Sequence, residues 1–168
     1  MIDLSRSRIL TGEDGLAKLA ESTVALFGLG GVGGYAAEAI VRSGVGRIII
    51  CDYDVVAESN INRQILALKQ DMGRLKVDVA ADRYMQINPE LEIIKITERL
   101  TPENIPSIIP RDIENLYAID AIDEIAPKTA LIAELHARGI NFAVSMGAGS
   151  RLDPMQVKCG DISATTHC

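Results

Sequence analysis

The sequence has few cysteines, and their spacing excludes a common kind of metal site. Its three cysteines, Cys51, Cys159 and Cys168, form no C-x-x-C pair, so a structural zinc site within this chain is not expected. Cys51 and Cys159 fall in strand-like stretches, where cysteine usually behaves as a small buried hydrophobic residue. Cys168 is the last residue and stands beside His167, but neighbours in sequence do not define a catalytic pair in space. The role of Cys168 therefore stays open.

A surplus of positive charge and a long apolar run are also missing. The formal net charge is -6, which gives no general attraction to nucleic acid or anionic membranes but leaves room for a local basic patch. No apolar run has the length of a membrane span, and the first residues lack the layout of a signal peptide. We therefore expect a cytoplasmic protein without a membrane partner. Its 168 residues, 48% of them hydrophobic, are predicted to form one globular domain over residues 1–168.

Glycine is concentrated directly after the first predicted strand. Five of the seven residues from 28 to 34 are glycines, and a helical pattern follows them. In the pattern G-x-G-x-x-G, Gly28 permits the tight turn, Gly30 lets a phosphate approach the backbone, and Gly33 lets helix and strand pack closely. Free N–H groups and the helix dipole favour an anion at this place. The alternative is that the glycines only make a tight turn between strand and helix.

Acidic residues follow two of the later predicted strands. Asp52 and Asp54 come after the second strand, about 20 residues past the glycines, where an acid can bind a ribose hydroxyl. Asp52 is the better placed of the two. Asp120 and Asp123 close the fourth predicted strand, at the ligand edge of an open α/β sheet. Asp123 either contributes to a magnesium site or caps the following helix, and its position alone does not separate the two interpretations.

A polar cluster after the second strand is unusual for a plain dinucleotide-binding fold. It contains Asn60, Arg63 and Gln64. Arg63 is able to bind phosphate through two donors, although a single arginine in a loop is more often a solvated surface residue. Lys76 falls in the first turn of a helix predicted over residues 73–87. A lysine there is electrostatically unfavourable unless an anion lies nearby.

Predicted strands and helices alternate along the chain. Strands are predicted at residues 23–27, 47–51, 91–96, 116–119, 140–145 and 155–162, and helices around 14–20, 35–41, 73–87 and 125–138, with a short helix starting at Thr101 and Pro102. This alternation predicts an α/β fold with a doubly wound, mostly parallel sheet. Right-handed crossovers would place the glycine turn, Asp52 and Asp123 along one edge of that sheet.

Taken together, these motifs resemble the ThiF/MoeB/HesA superfamily, which includes the ubiquitin-activating enzymes. The resemblance rests on the glycine turn, D-Y-D at 52–54, N-I-N-R-Q at 60–64, Lys76 and D-A-I-D at 120–123. It runs from about Leu16 to the end of the chain. It implies a Rossmann-like fold that binds ATP and Mg²⁺ and adenylates a carboxylate with release of pyrophosphate.

The same resemblance implies a role for each candidate residue. It places Gly28, Gly30, Gly31 and Gly33 around the phosphates, Asp52 at the ribose, Asn60, Arg63, Gln64 and Lys76 around the triphosphate, and Asp123 at the magnesium ion. Arg63, Lys76 and Asp123 are the candidate catalytic residues. In the family the arginine can come from the partner subunit, so a homodimer is expected. Adenylation needs charge neutralisation and an in-line approach more than a strong base, which fits a site without an evident catalytic histidine.

Two stretches near the end of the chain narrow the resemblance. Residues 145–154 and 161–163 are most similar to the tRNA threonylcarbamoyladenosine dehydratases, which use ATP to activate the threonyl carboxylate of a modified adenosine next to the anticodon. Loss of water then closes a cyclic product. The implied partner is a tRNA, and the alternative is a small sulfur-carrier protein, as for adenylyltransferases of the ThiF and MoeB type. Family members continue past residue 168, so a chain truncated at its C-terminal end is expected.

Two further functions stay open at this point. An NAD-dependent oxidoreductase would use the same glycine turn and Asp52. Against it, Arg63, Gln64 and Lys76 crowd the phosphate side, and the sequence offers no clear residue for hydride transfer. The other is a non-catalytic domain that binds a partner and holds its nucleotide only for structure, or holds none.

Overall fold

Five parallel strands set the frame on which all candidate residues are placed. The computed structural model describes residues 2–147, 149 and 152–165. The strands are β1 (Thr23–Phe27), β2 (Arg47–Cys51), β3 (Glu92–Ile96), β4 (Leu116–Asp120) and β5 (Asn141–Val144), and they pair in the order β3-β2-β1-β4-β5. Every pair is parallel. The strand order reverses between β1 and β4, and ligands bind at such a switch point, outside the carboxyl ends of the strands.

Helices pack on both faces of the sheet. Those that contribute buried residues are α2 (Gly33–Arg42), α3 (Lys76–Ile87), α4 (Ile105–Ile108) and α5 (Ile125–Ala137). A further helix, α1 (Ser5–Glu21), has no buried residue. In β1, Leu26 belongs to the core beneath α2 and α3, whereas Phe27 belongs to the core beneath α4 and α5. Because both faces are covered at the centre of the sheet, β1 and β2 are nearly continuous apolar runs. Across the described residues, no helix has the length and apolar character needed to cross a membrane.

The predicted α/β class with a doubly wound parallel sheet is confirmed, and the first five predicted strands form within two residues of their predicted bounds. Two helices begin four or more residues away from their predicted starts. Helix α1 starts at Ser5, well before residue 14, and is interrupted at Gly12, whose φ is 69°. The helix expected from Thr101 starts only at Ile105. Thr101 and Asn104 exchange backbone-to-side-chain hydrogen bonds of 2.8 and 3.3 Å, which close a turn before the helix begins.

The strand predicted at residues 155–162 is wrong. The Asp153 and Asp161 carboxylates accept hydrogen bonds from the N–H groups of Met155 (3.0 Å) and Ser163 (2.8 Å), and each starts a single 3₁₀ turn instead. Such Asx turns compete with strand pairing for the backbone. Because no strand forms there, Cys159 is exposed, which corrects the expectation that it is buried.

The other two cysteines have different outcomes. Cys51 is buried, as expected. Burial raises the pKa of the Cys51 thiol to about 12, so it is protonated at neutral pH and is no nucleophile. Cys168 and its neighbour His167 lie outside the described residues.

Helices α2 and α3 are joined by one buried carboxylate. Glu38 accepts hydrogen bonds from Arg42 on its own helix, at 3.0 and 2.7 Å, and from Arg83 on α3, at 2.5 and 3.1 Å. The hydrogen bond from Arg83 lowers the pKa of Glu38 below its ordinary value of 4.5; burial opposes this shift, and the Arg42 hydrogen bond adds to it. The charged form of Glu38 therefore stabilises the fold.

Replacing Glu38 tests this contribution. Because the pKa of Glu38 is lower in the folded state, its stabilisation is present above the unfolded pKa and is lost as the pH falls through the folded pKa. We expect Glu38→Gln to lower the free energy of unfolding by about 1–3 kcal/mol at pH 7, and the difference to shrink below pH 4.5. Urea unfolding across this pH range measures it, with Glu13→Gln at an exposed ion pair as control. A difference that does not change with pH would contradict the assignment.

Candidate functional site

A cleft of about 570 Å³ runs along the carboxyl ends of the strands. Its walls come from the glycine turn after β1 and from residues 51–54, 98–100, 121–124 and 145–147. Nine of the ten candidate site residues line it, and Gly33 lies just behind the turn. The placement expected from right-handed crossovers, with the glycine turn, Asp52 and Asp123 on one edge, is therefore present.

The glycine turn is shaped by close backbone approach at both of its ends. Gly28 has a φ of 91°, and a Cβ there would lie 2.8 Å from the Ala121 carbonyl oxygen. A Cβ on Gly33 would lie 1.8 Å from the Gly28 carbonyl oxygen, so only glycine fits. At Gly30, by contrast, an added Cβ would meet its nearest neighbour only at 3.9 Å. The middle of the turn is thus open to a ligand, while its ends are packed.

The start of α2 adds hydrogen-bond donors to this turn. The N-cap residue is Val32, whose side chain has no atom able to accept a hydrogen bond from the first turn of the helix. The first N–H groups of a helix have no partner within the helix and carry the positive end of its dipole. The Gly34 N–H already donates to the Gly30 carbonyl at 3.1 Å, but the other N–H groups of this turn, together with the open middle of the glycine turn, form a place where a phosphate can bind.

Asp52 ties the end of β2 to the glycine turn. Its Oδ2 accepts a hydrogen bond from the Leu29 N–H at 2.6 Å, and its Oδ1 accepts one from the Asp54 N–H at 2.8 Å. A carboxylate has about four acceptor positions, so both oxygens can accept further hydrogen bonds from a ligand. Burial raises the pKa of Asp52, while those two N–H groups and the Lys76 ammonium act in the opposite direction.

Lys76 has the anion that its position at a helix start requires. Its buried Nζ lies 2.8 Å from Asp54 Oδ2 and 4.0 Å from Asp52 Oδ1. The lysine is therefore held at the side of the cleft by carboxylates of the protein. Its charge is partly neutralised by these two carboxylates, Asp52 and Asp54.

The polar cluster after β2 lies beside the glycine turn, where added Cβ atoms on Gly30 and Gly31 would lie 3.9 Å from Gln64 Nε2 and 3.5 Å from Arg63 Cγ. Its members differ in how freely they can move. Asn60 is buried, and its Oδ1 accepts a hydrogen bond from the Ala57 N–H at 3.0 Å. Gln64 is also buried. Arg63 is exposed, and its Nη1 donates to the Ser59 carbonyl and the Asn62 side chain at 2.8 and 2.9 Å. Arg63 is the member of the cluster that can move without breaking the core.

Asp123 lies in the loop between β4 and α5, and the N-cap of α5 is its neighbour Glu124. The interpretation of Asp123 as the helix cap is therefore wrong. The Asp123 side chain is exposed at the cleft, and within the described part of the chain no hydrogen bond or ion pair engages its carboxylate. It is free to bind a cation.

Sequence reasoning missed a cluster that crosses the mouth of the cleft. Arg99, after β3, donates from Nη2 to both carboxylate oxygens of Glu124 at 2.9 and 3.0 Å. The Tyr53 hydroxyl donates to the same carboxylate at 3.2 Å, and Arg99 lies 5.2 Å from the centre of the Tyr53 ring. The ends of β3 and β4 are about 14 Å apart, at three strand spacings. No sequence signal links residues that are brought together only by sheet order.

It also missed a buried ion pair below the floor of the cleft. Lys128 Nζ lies 2.8 Å from Oδ1 of Asp120, whose side chain is fully buried. The sequence did contain a signal for Lys128. It precedes Leu131 and Leu135 by three and seven residues, which puts it on the buried face of α5. A lysine on such a face needs a buried partner.

Comparison with known proteins gives a consistent result. The model of the ThiF family matches residues 4–168. The chain is 43% identical over 161 residues to the tRNA threonylcarbamoyladenosine dehydratase of Bacillus subtilis, covering 96% of this chain and 63% of that protein. It is 40% identical over 156 residues to the Escherichia coli enzyme of the same name, covering 93% of this chain and 58% of that protein.

The solved structures give the same picture. The crystal structure of the Escherichia coli tRNA N6-threonylcarbamoyladenosine dehydratase in complex with ATP superposes with a TM-score of 0.90 at 38% identity, covering 96% of this chain and 66% of that one. The chain thus spans about three fifths of the length of the curated relatives it matches.

A substitution at Gly33 tests the close approach that shapes the turn. Because the added Cβ would overlap the Gly28 carbonyl oxygen, α2 must move away from β1, and we expect Gly33→Ala to cost at least about 3 kcal/mol of stability. Gly160→Ala is the control, since an added Cβ there meets nothing within 4 Å, and it should change stability by less than about 0.5 kcal/mol. Urea unfolding compares the two. Equal effects would contradict this account of the turn.

Proposed function

Because the chain belongs to the ThiF family, we propose that it uses ATP to adenylate a carboxylate, and that this carboxylate belongs to threonylcarbamoyladenosine in tRNA. The observation that carries the proposal is the cleft, where the open glycine turn, Asp52, two cationic side chains and a free Asp123 carboxylate meet. The names of the two relatives at 40% and 43% identity support the substrate. The ATP complex of the Escherichia coli enzyme supports the nucleotide.

Two parts of the cleft, the glycine turn and Asp52, would bind ATP. The phosphates would lie on the open middle of the turn at Gly30, beside Gly31 and Arg63, and at the start of α2 with its N–H groups. The ribose hydroxyls would donate to the remaining acceptor positions of Asp52. Hydrogen bonds donated to the charged form also favour the charged carboxylate against the effect of burial.

The cationic side chains would neutralise charge that moves during the reaction. The substrate carboxylate attacks the α-phosphorus, the bond to the bridging oxygen of the β-phosphate breaks, and pyrophosphate leaves. Lys76, fixed by Asp54, supplies a constant positive charge beside the phosphates. Arg63 would leave Ser59 and Asn62 to donate two hydrogen bonds to phosphate oxygens. Gln64 and Asn60 would shape the wall behind them.

Magnesium fits these residues as an ion that arrives with the nucleotide. Among the described residues no cluster of three or more acidic, histidine or cysteine side chains forms a metal site alone. Mg²⁺ is commonly bound by one or two carboxylates together with substrate phosphates, and Asp123 offers such a carboxylate. When bound, it would supply charge neutralisation on the leaving pyrophosphate.

The second half of the proposed reaction accounts for the loss of water. The acyl-adenylate carries a good leaving group, so a nucleophile within the same modified residue attacks the acyl carbon and closes the ring. AMP leaves with one oxygen of the original carboxylate, and the nucleophile loses its proton. The net result is a cyclic product, AMP and pyrophosphate from ATP and the modified nucleoside.

Assembly and location are part of the same proposal. A homodimer would allow an exposed arginine of one subunit to reach the phosphates in the partner subunit's cleft, in addition to the Arg63 that lines each subunit's own cleft. We also propose a cytoplasmic location, where tRNA is the available substrate.

Pyrophosphate release tests the proposal directly. With ATP and Mg²⁺ we expect release that depends on tRNA carrying threonylcarbamoyladenosine and is absent with the same tRNA lacking the modification. Arg63→Ala and Asp123→Asn should each lower the rate by about 10²–10³-fold, because each removes charge stabilisation at the phosphates. Arg111→Ala is the control, because Arg111 lies in a loop near the amino ends of β4 and β5, at the end of the sheet opposite the cleft.

Three outcomes would contradict parts of the proposal. Thermal stabilisation by NAD but not by ATP with Mg²⁺ would favour an oxidoreductase. Release that depends on a small sulfur-carrier protein and not on tRNA would replace the substrate. Stabilisation by ATP with Mg²⁺ but no release with modified tRNA would favour a non-catalytic role for this chain.

A further inference from the structure

Lys128 sits in a network that joins two strand ends below the cleft. Its Nζ donates to Asp120 Oδ1 at 2.8 Å and to the Ser145 carbonyl oxygen at 3.0 Å. Asp120 ends β4, and Ser145 directly follows β5 and lines the cleft. The Ser145 N–H in turn donates to the Asp120 carbonyl at 2.8 Å. One ammonium group thus fixes the relative position of two segments of the cleft.

The Asp120 carboxylate also hydrogen-bonds to the loop that carries Asp123. Asp120 Oδ1 also accepts a hydrogen bond from the Ile122 N–H at 3.0 Å, one residue before Asp123. On its other side the loop packs against the glycine turn, where a Cβ on Gly28 would lie 2.8 Å from the Ala121 carbonyl oxygen. The path of the chain up to Asp123 is therefore held from both sides.

A pair of this kind is expensive to bury, which argues for a specific role. Asp120 is fully buried, and its Oδ2 has no hydrogen-bond partner among the described residues. Burial raises the pKa of Asp120, and the Lys128 hydrogen bond opposes this. Apolar side chains at the same positions often stabilise a fold as well as such a pair does. Stability alone thus gives little reason for placing two charges beneath the cleft.

We propose that the buried Lys128–Asp120 pair is a positioning device, which holds the loop of residues 121–124 so that the Asp123 carboxylate meets the magnesium ion of the bound nucleotide. Neither side chain of the pair lines the cleft, so both act through Asp123 and are not catalytic residues. The inference rests on the proposed function, because it assumes that ATP and magnesium bind in the cleft.

The test measures magnesium-dependent nucleotide binding, a quantity that a purely structural role would leave unchanged. We compare the wild type with the double variant Lys128→Met/Asp120→Asn, which removes both charges together. The probe is an ATP analogue with a methylene group between the α- and β-phosphates, titrated by calorimetry at increasing Mg²⁺ concentrations. The matched control is Lys95→Met/Asp78→Asn, an exposed ion pair between β3 and α3.

We expect the double variant to bind the analogue without Mg²⁺ as tightly as the wild type does, within about twofold. The Mg²⁺ concentration that gives half of the affinity gain should rise at least about tenfold, because losing the groups that orient a metal ligand costs about 10–100-fold in metal affinity. Adding Asp123→Asn to the double variant should cause no further change, since residues that act through one another are not additive. The control pair should leave the midpoint unchanged.

A second variant keeps the test decisive if the double variant Lys128→Met/Asp120→Asn fails to fold. Asp120→Glu retains both charges but moves the acceptor of the Ile122 N–H by one methylene, and it should raise the Mg²⁺ midpoint by a similar factor. A wild-type midpoint in a folded variant, or a full further loss on adding Asp123→Asn, would overturn the inference. Failure of the wild type to bind the analogue with Mg²⁺ would instead overturn the proposed function.

Discussion

The cleft depends on one steric constraint at the end of β1. The chain can leave the sheet and enter α2 directly above β1 only because residue 33 is a glycine. The Gly28 carbonyl oxygen occupies the space that a Cβ at residue 33 would need. This approach sets the height of the α2 N-terminus above the sheet, and the 2.6 Å hydrogen bond from the Leu29 N–H to Asp52 fixes the turn against β2. Every other group at the cleft is placed relative to this turn.

Cations in and below the cleft are neutralised locally, within a chain whose net charge is -6. Three cations are each held by a carboxylate from another segment: Lys76 by Asp54, Arg99 by Glu124 and Lys128 by Asp120. The pairs differ in how deeply their side chains are buried, so they affect stability and geometry differently. The Arg99–Glu124 pair is exposed and contributes little to stability, so a ligand can replace it at little cost. Lys128 and Asp120 are buried and fix geometry instead.

Most of the fold followed from local patterns in the sequence, because buried parallel strands and their crossover helices leave strong periodic signals. The positions of Asp52 and Asp123 followed as well, since carboxyl ends of parallel strands share one edge. The pairs Arg99–Glu124 and Lys76–Asp54 did not, because they join residues 25 and 22 positions apart. Sheet order brings the first pair together, and an isolated bridge between Val55 and Leu75 brings the second together. The errors at Thr101 and at residues 155–162 have a common cause, since side-chain oxygens there bond to nearby N–H groups and replace the expected structure.

Hydrogen–deuterium exchange with and without ATP and Mg²⁺ tests the central claim, which is that the cleft at the carboxyl ends of the strands binds the nucleotide. The account predicts slower exchange of the N–H groups of residues 28–34, 52–54 and 121–124 when ATP is bound. It predicts no change around the cavity of about 380 Å³ on the opposite side, at the amino ends of β4 and β5. That cavity is lined by residues 110, 111, 113, 115–117 and 138–141. Protection confined to that opposite cavity, or unchanged exchange in the glycine turn at saturating ATP, would contradict it.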